Sequence, residues 1–366
     1  MRGAPLEPGQ AHPEGLAAGG GAAVIELLPV DALAPYLRRH VHDFAGPLQV
    51  AQLTGGQSNP TYRVTAGEHR WVLRRKPPGV LLASAHAIER EYRVMAALAA
   101  LPGSGVPVPR MHALCEDPAV IGSPFYVMDF IDGRVFADPA LPGLTRDERG
   151  AVYAEMNRVI AALHSVDLQA AGLADFGRPQ NYLARQIERW TRQYRASETE
   201  PIDAMERLIK WLPAHRPEGD ETALVHGDFR IDNLIFHPTE ARVLAVLDWE
   251  LSTLGHPLVD LAYHGMAWRV TPTEFRGLKG HDLAALGIPS EDVYLAAYCK
   301  RTGRAGLPHW DYYLAFNMFR MASILQGILA RARQGSAASA DAERTGQQAR
   351  PMAEAGWRQA QRVQAA

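Results

Sequence analysis

"LVHGDFRIDNLIFHP", residues 224–238, sets His226, Asp228, Asp232, Asn233 and His237 among Leu224, Val225, Leu234, Ile235 and Phe236. A solvated loop has no use for those apolar residues. A plain core strand does not tolerate Asp228 and Asn233, because a buried polar group without a partner costs about 1–3 kcal/mol. Two readings fit: a loop that touches the core at both ends, or a catalytic loop. The spacing speaks for the second. His226 lies two residues before Asp228, Asn233 five after it, and Asp248 closes "VLAVLDWE" (243–250), a short buried strand by its composition. One carboxylate to orient a hydroxyl, with an amide carbonyl and a second carboxylate as hard oxygen ligands for Mg²⁺, suits phosphoryl transfer.

Upstream the period of the chain changes. "DALAPYLRRHV" (31–41) has helical apolar spacing behind Asp31, a candidate N-cap. Residues 47–79 read as strand, Gly-rich turn, strand, turn at Ala66-Gly67, strand and a Pro-Pro-Gly stop. "AHAIEREYRVMAALAAL" (85–101) is an amphipathic helix, and residues 106–133 hold two more strands. Five strands with one inserted helix predict a small α+β unit over 24–130. From Thr145 the pattern turns helical, with helices expected at 146–167 and 181–197 and a helical unit over 131–332. Residues 1–23, rich in Gly, Ala and Pro, read as a disordered tail, and 333–366 as a flexible joint with a loosely packed tail.

The stretch resembles the catalytic loop of the aminoglycoside phosphotransferase and choline kinase-like family, whose fold is similar to that of protein kinases. A kinase carries H-R-D, an Asn after four intervening residues, then D-F-G. Here stand His226-Gly227-Asp228, Asn233 and Asp248-Trp249-Glu250. The resemblance implies a two-lobed fold, with a five-stranded antiparallel sheet and a helix in the small lobe. It implies Asp228 as catalytic base, Asn233 and Asp248 as Mg²⁺ ligands, and His226 as a structural hydrogen-bonder. Asp232 and His237 go to turn chemistry. In "ELSTLGHPLVDLAY" (250–263), Asp260 is expected to brace the loop through backbone hydrogen bonds.

The resemblance extends to the nucleotide side. "LTGGQSNPTYRV" (53–64) stands where a kinase keeps its phosphate-covering loop; Gly55 and Gly56 permit close backbone approach, and Ser58 and Asn59 add donors. In "WVLRRKPPG" (71–79), Arg74 takes the place of the usual Lys, with Glu91 as its helix partner. Lys76 lies on the same strand face, so either cation reaches phosphate. In "FYVMDFIDG" (125–133), Val127 and Met128 would flank adenine, with backbone groups up to Phe130 reading its edge.

"VLRRKPPG", "GGQSNPTY", "LHSVD" and "STLGHPL" look like the branch that includes the kinase-like domains fused to acyl-CoA dehydrogenases. That implies ATP with Mg²⁺, and a small hydroxylated acceptor such as a hydroxy acid or hydroxyacyl-CoA. Arg185, Arg189, Arg192 and Arg195 recur at helical spacing; they read either as a cationic stripe for an anionic acceptor or as a solvated basic face. A nucleotide-binding pseudokinase and an aminoglycoside-type or choline-type kinase stand as alternatives; a protein kinase lacks support, since no A-P-E segment follows Asp248.

Composition agrees with these expectations. The 366 residues are 47% hydrophobic and 21% charged, with a formal net charge of -2, which gives no bias toward nucleic acid. Two cysteines, Cys115 and Cys299, make neither a disulfide framework nor a zinc site, and no apolar run is long enough to cross a membrane. A cytoplasmic location is expected.

Overall fold

A computed structural model describes residues 28–53, 59–77, 87–219, 221–335 and 341–365. The disordered tail expected over 1–23 lies outside these residues. So do Gly55, Gly56 and Ser58, and the centre of the expected joint at 336–340.

The small lobe begins with α1 (Val30–His40), followed by β1 (Leu48–Gln52), β2 (Thr61–Ala66), β3 (His69–Arg75), α2 (Ile88–Ala100), β4 (Met111–Cys115) and β5 (Phe125–Asp129). The strands form one antiparallel sheet in the order β1-β2-β3-β5-β4. Strand alternation sorts its residues onto two faces. Tyr62, Val64, Leu73 and Val127 pack against α1, while Val72, Tyr126 and Met128 join the core shared with α2. α2 buries Ile88, Val94, Met95 and Leu98, and among them the acid Glu91. Asp31 is not the N-cap of α1: the helix starts at Val30 behind Pro29, and Asp31 sits inside its first turn.

The large lobe opens with α3 (Arg146–His164), started by a Thr145/Glu148 capping box. It continues through α4 (Tyr182–Ser197) and α5 (Asp203–Ala214). The opening stretch of sequence becomes β6 (Ala223–Val225), a loop, and β7 (Leu234–Phe236), which pairs with β8 (Val243–Val246). β9 (Thr253–Gly255) returns to pair with β6, and α6 (Pro257–Gly265) follows. After the short turns α7 (Pro272–Phe275) and α8 (Leu283–Leu286) come α9 (Glu291–Thr302), the long α10 (Trp310–Arg333), α11 (Ala342–Gly346) and α12 (Ala349–Ala365).

The C-terminal segment departs from expectation. α12 is no loose tail: Met352, Ala353, Ala355 and Ala360 are buried in the main core against α10 and α5. Its alanines and Gly356 let it lie close to α10, where a side chain on Gly356 would come within 3.1 Å of Met318. Small residues packed this way carry little apolar signal in a sequence.

Candidate active site

The loop between β6 and β7 is fixed from beneath by one buried carboxylate. Asp260 of α6 accepts from the backbone N–H of His226 and of Gly227, each at 2.8 Å, and from the ring of His164 at 3.2 Å. This is the bracing expected of it. Burial disfavours the Asp260 charge, but the hydrogen bond and charge of His164, with the His226 side, hold its pKa below the ordinary carboxylate value. Arg320 of α10 donates to the Gly227 carbonyl from the other side, and its guanidinium lies over the rings of Tyr263 and Trp190. Gly227 has φ of 83°, and a Cβ there would stand 2.7 Å from the Leu251 carbonyl oxygen. The local geometry thus requires glycine where a kinase has Arg.

His226 is fully engaged. Its Nδ1 accepts from the Asp228 N–H at 3.1 Å, so Nε2 is the donor, bonded to the Leu247 carbonyl at 2.9 Å. That leaves neither nitrogen free to shuttle protons. His237 caps a turn, accepting from the N–H of Thr239 and Glu240.

Asp228 is gripped by two side chains. Arg230 Nε stands 2.9 Å from its Oδ1 and Asn233 Nδ2 donates to its Oδ2 at 3.2 Å, while burial and then the Asp228 charge raise the pKa of the Tyr263 hydroxyl on α6. Asn233 Nδ2 also donates to the Asp228 carbonyl at 2.8 Å. With its amide nitrogen so committed, Asn233 presents its Oδ1 as the remaining hard oxygen. The Asn233 carbonyl in turn accepts from the Leu247 N–H at 2.9 Å, which sets Asp248 next to the loop.

Asp248 follows β8 in the left-handed region, φ 65° and ψ 58°, a conformation Asp tolerates better than most residues. Beyond it Trp249 is fully buried, with its indole nitrogen bonded to the Val246 carbonyl. Trp thus anchors the segment by packing where a kinase uses Phe. The donor set fits Mg²⁺. No cluster of three or more acids, histidines or cysteines that could hold a metal occurs among the described residues. One carboxylate and one carbonyl are what Mg²⁺ takes when it keeps waters and phosphate oxygens.

On the small lobe, Arg74 occupies the cleft side of β3. Its Nε is 3.3 Å from Glu91, and one terminal nitrogen is 3.1 Å from Asp248 and 3.8 Å from Glu250. Burial works against the Arg74 charge, but these acids more than offset it and raise its pKa. Glu91 is 1% exposed, and burial pushes its carboxyl up to about 7 even with Arg74 beside it. Lys76 pairs instead with Glu89 at 3.0 Å.

Two expectations require correction. Asn59 is buried and donates to Glu91 at 3.0 Å, so its amide braces the helix acid rather than facing phosphate. Val127 points into the α1-side core with no exposure, so strand alternation leaves only Met128 of the pair on the other face. Phe130, expected to act through its backbone, has its ring half-buried beneath Arg70, whose guanidinium is 4.8 Å from the ring centre. The arginine stripe of α4 divides: Arg195 binds Glu206 and Glu198, Arg192 pairs with Glu188, and Arg185 bonds the Arg178 carbonyl. Arg189 lies over the Trp190 ring, 5.2 Å from its centre. Three residues around Asp228 escaped the sequence reading. Arg230 was visible two positions away, whereas Tyr263 and Arg320 arrive on helices far along the chain.

A model of the phosphotransferase enzyme family (APH) matches residues 49–315. The chain is 50% identical over 334 residues to acyl-CoA dehydrogenase family member 10 of Mus musculus, covering 90% of this chain and 31% of that protein. It is 40% identical over 351 residues to acyl-CoA dehydrogenase family member 11 of Homo sapiens, covering 92% and 44%. It therefore spans less than half the length of these relatives. A crystal structure of a candidate aminoglycoside phosphotransferase from Ralstonia eutropha JMP134 is 56% identical, with a TM-score of 0.83 over 92% of this chain and 99% of that one. Choline kinase of Cryptosporidium parvum shares the fold at 13% identity and a TM-score of 0.57, covering 92% and 96%.

Proposed function

This chain belongs to the phosphotransferase enzyme family, and on that premise we propose that it transfers the γ-phosphoryl group of ATP to a hydroxyl of a small hydroxy acid or hydroxyacyl thioester. The observation that carries the reading is the coupling of Asp228, Asn233 and Asp248. The Asn233 side chain bonds the carboxylate of Asp228, and its backbone bonds the residue preceding Asp248. A base for the acceptor and hard oxygens for the metal are thereby held in one rigid unit.

In the proposed reaction the acceptor hydroxyl oxygen bonds to the γ-phosphorus as the bond from phosphorus to the bridging oxygen of ADP breaks. The hydroxyl proton passes to Asp228 and then to solvent. Asn233 and Asp248 would hold Mg²⁺, which when bound offsets the charge on the phosphate oxygens. Arg74 exchanges its contact with Asp248 for phosphate oxygens while Glu91 keeps it aligned. The acyl acceptor is supported by the kind of relative: this chain matches part of proteins named as acyl-CoA dehydrogenase family members. An aminocyclitol polycation is disfavoured by Arg230 beside the base and Arg320 at the neighbouring Gly227 carbonyl.

The test is a screen of hydroxy acids, their CoA thioesters, an aminoglycoside and choline with Mg·ATP. It is read by ADP release and by the mass gain of one phosphate. Transfer to the hydroxyacyl members, lost in Asp248→Ala with the fold retained, is the expected outcome. Tight Mg·ATP binding without ADP release for any acceptor would instead identify a nucleotide-binding pseudokinase.

A further inference from the structure

Behind the catalytic loop, residues of α3, α6, α10 and α12 line a half-open cavity of about 60 Å³. Two of its walls are Arg230, which pairs with the Asp228 carboxylate, and Tyr263, whose ring lies under Arg320. Its depth is lined by Met156, Met266, Met321 and Met352, all buried. We propose that this methionine-lined cavity is the subsite for a short unbranched hydrocarbon segment of the acceptor, the segment that runs beyond the hydroxyl held at Asp228.

The chemistry of the lining selects the occupant. The one acid in the wall, Asp232, is already paired with Arg276 at 2.8 Å and Arg230 at 3.4 Å. No unpaired carboxylate among the described residues awaits an ammonium there. His264 also lines the wall, and burial pushes its pKa down to about 4, so the ring brings no charge at neutral pH. One water needs roughly 10–15 Å³ of such space, so the cavity admits a chain of a few carbons. Methionine is flexible and polarizable, so four of them can reshape the space around chains of different length. The inference rests on the phosphotransferase reading for where the hydroxyl sits, but occupancy of the cavity can be measured without any transfer.

The probe is the straight-chain alkanol series from ethanol to decanol, titrated into the full chain without nucleotide and followed by NMR and thermal shift. Affinity is expected to rise about fourfold per added methylene and then level off where the cavity is full. Ala267→Leu, which fills the wall, moves the plateau to shorter chains, and Val270→Ala moves it to longer ones. If Ala267→Leu does not fold, Val270→Ala carries the test. Affinity that does not change with chain length, or a plateau that neither variant moves, overturns the proposal. A moving plateau with no ADP release from any acceptor supports the cavity and removes the kinase reading. ADP release with hydroxy acids but no dependence on chain length does the reverse.

Discussion

At the scale of single residues, the site turns on which atoms are already spoken for. Asp228 is held by Arg230 and Asn233, so Asp228→Asn keeps the shape of the proposed base but removes its charge and puts an amide nitrogen in place of one acceptor oxygen. Turnover should fall about 10²–10⁴-fold, the range for a positioned acid–base group, while Mg·ATP affinity stays nearly unchanged. Titration with a fluorescent ATP analogue alongside an ADP-release assay separates the two, and full turnover in the mutant would end the assignment. Gly227→Ala places a Cβ against the Leu251 carbonyl at 2.7 Å. It should cost about 1–2 kcal/mol in the left-handed region before any clash is counted, and turnover should drop further as the loop shifts. Glu91 gives a pH signature. Its folded pKa, about 7, lies above its ordinary 4.5, so the folded state holds a proton that the unfolded chain has released. Stability from this group is full below about 4.5 and is lost as pH rises toward 7. Glu91→Gln should flatten the denaturation-midpoint curve over that window, and an unchanged slope would contradict the burial argument. The spacing of Asp228, Asn233 and Asp248 was legible in the sequence because all three lie in one short stretch. Asn59 was misread because a polar residue beside glycines resembles a phosphate donor, and only its contact with Glu91 shows otherwise.

Elements were legible where amphipathicity was strong. α2 and β2 follow their periods, since each alternates between buried and less buried positions, whereas β3 and β5 are buried on both faces and read as apolar runs. α12 was not legible, because it meets α10 through alanines and Gly356 instead of a stripe of large side chains. The pair illustrates two ways to bury a helix: large residues across a gap, or small ones at close range. Gly356→Leu should therefore overpack the contact and cost about 1–3 kcal/mol. Removing the chain from Ala342 onward should cost more, because it bares the α10 face and opens the cavity wall at Met352. Thermal midpoints of the two variants check both statements. A truncated chain as stable as the full one would return α12 to the status of a loose appendage.

At the scale of the molecule, only the α1 side of the sheet has a core of its own; its other face and α2 share the core of the large lobe, and the two lobes must be kept in register across the cleft. The two-lobed plan was legible from the change of period near Thr145, but the fastening was not, because it joins distant side chains to backbone carbonyls. Arg90 of α2 donates to the Phe176 carbonyl at 2.7 Å and to the Ser252 carbonyl at 3.3 Å, with its guanidinium 4.2 Å from the centre of the Phe176 ring. Arg93 donates to the Gly172 carbonyl and pairs with Asp175. Arg74 adds the third link, to Asp248. α2 carries Glu91 between these two arginines, so the lobe contact and the alignment of Arg74 move together. Arg93 is exposed and its pair with Asp175 is worth little alone. Arg90 is half-buried and fastens two carbonyls at once, so it should dominate. Arg90→Ala should leave the large-lobe core folded, raise hydrogen exchange in α2, and weaken Mg·ATP binding by freeing Arg74 from its set position. Arg93→Ala should do little of either. Both variants cut links from α2 to the large lobe, so exchange rates in α2 that match between them would show that Arg90 is not the dominant fastener.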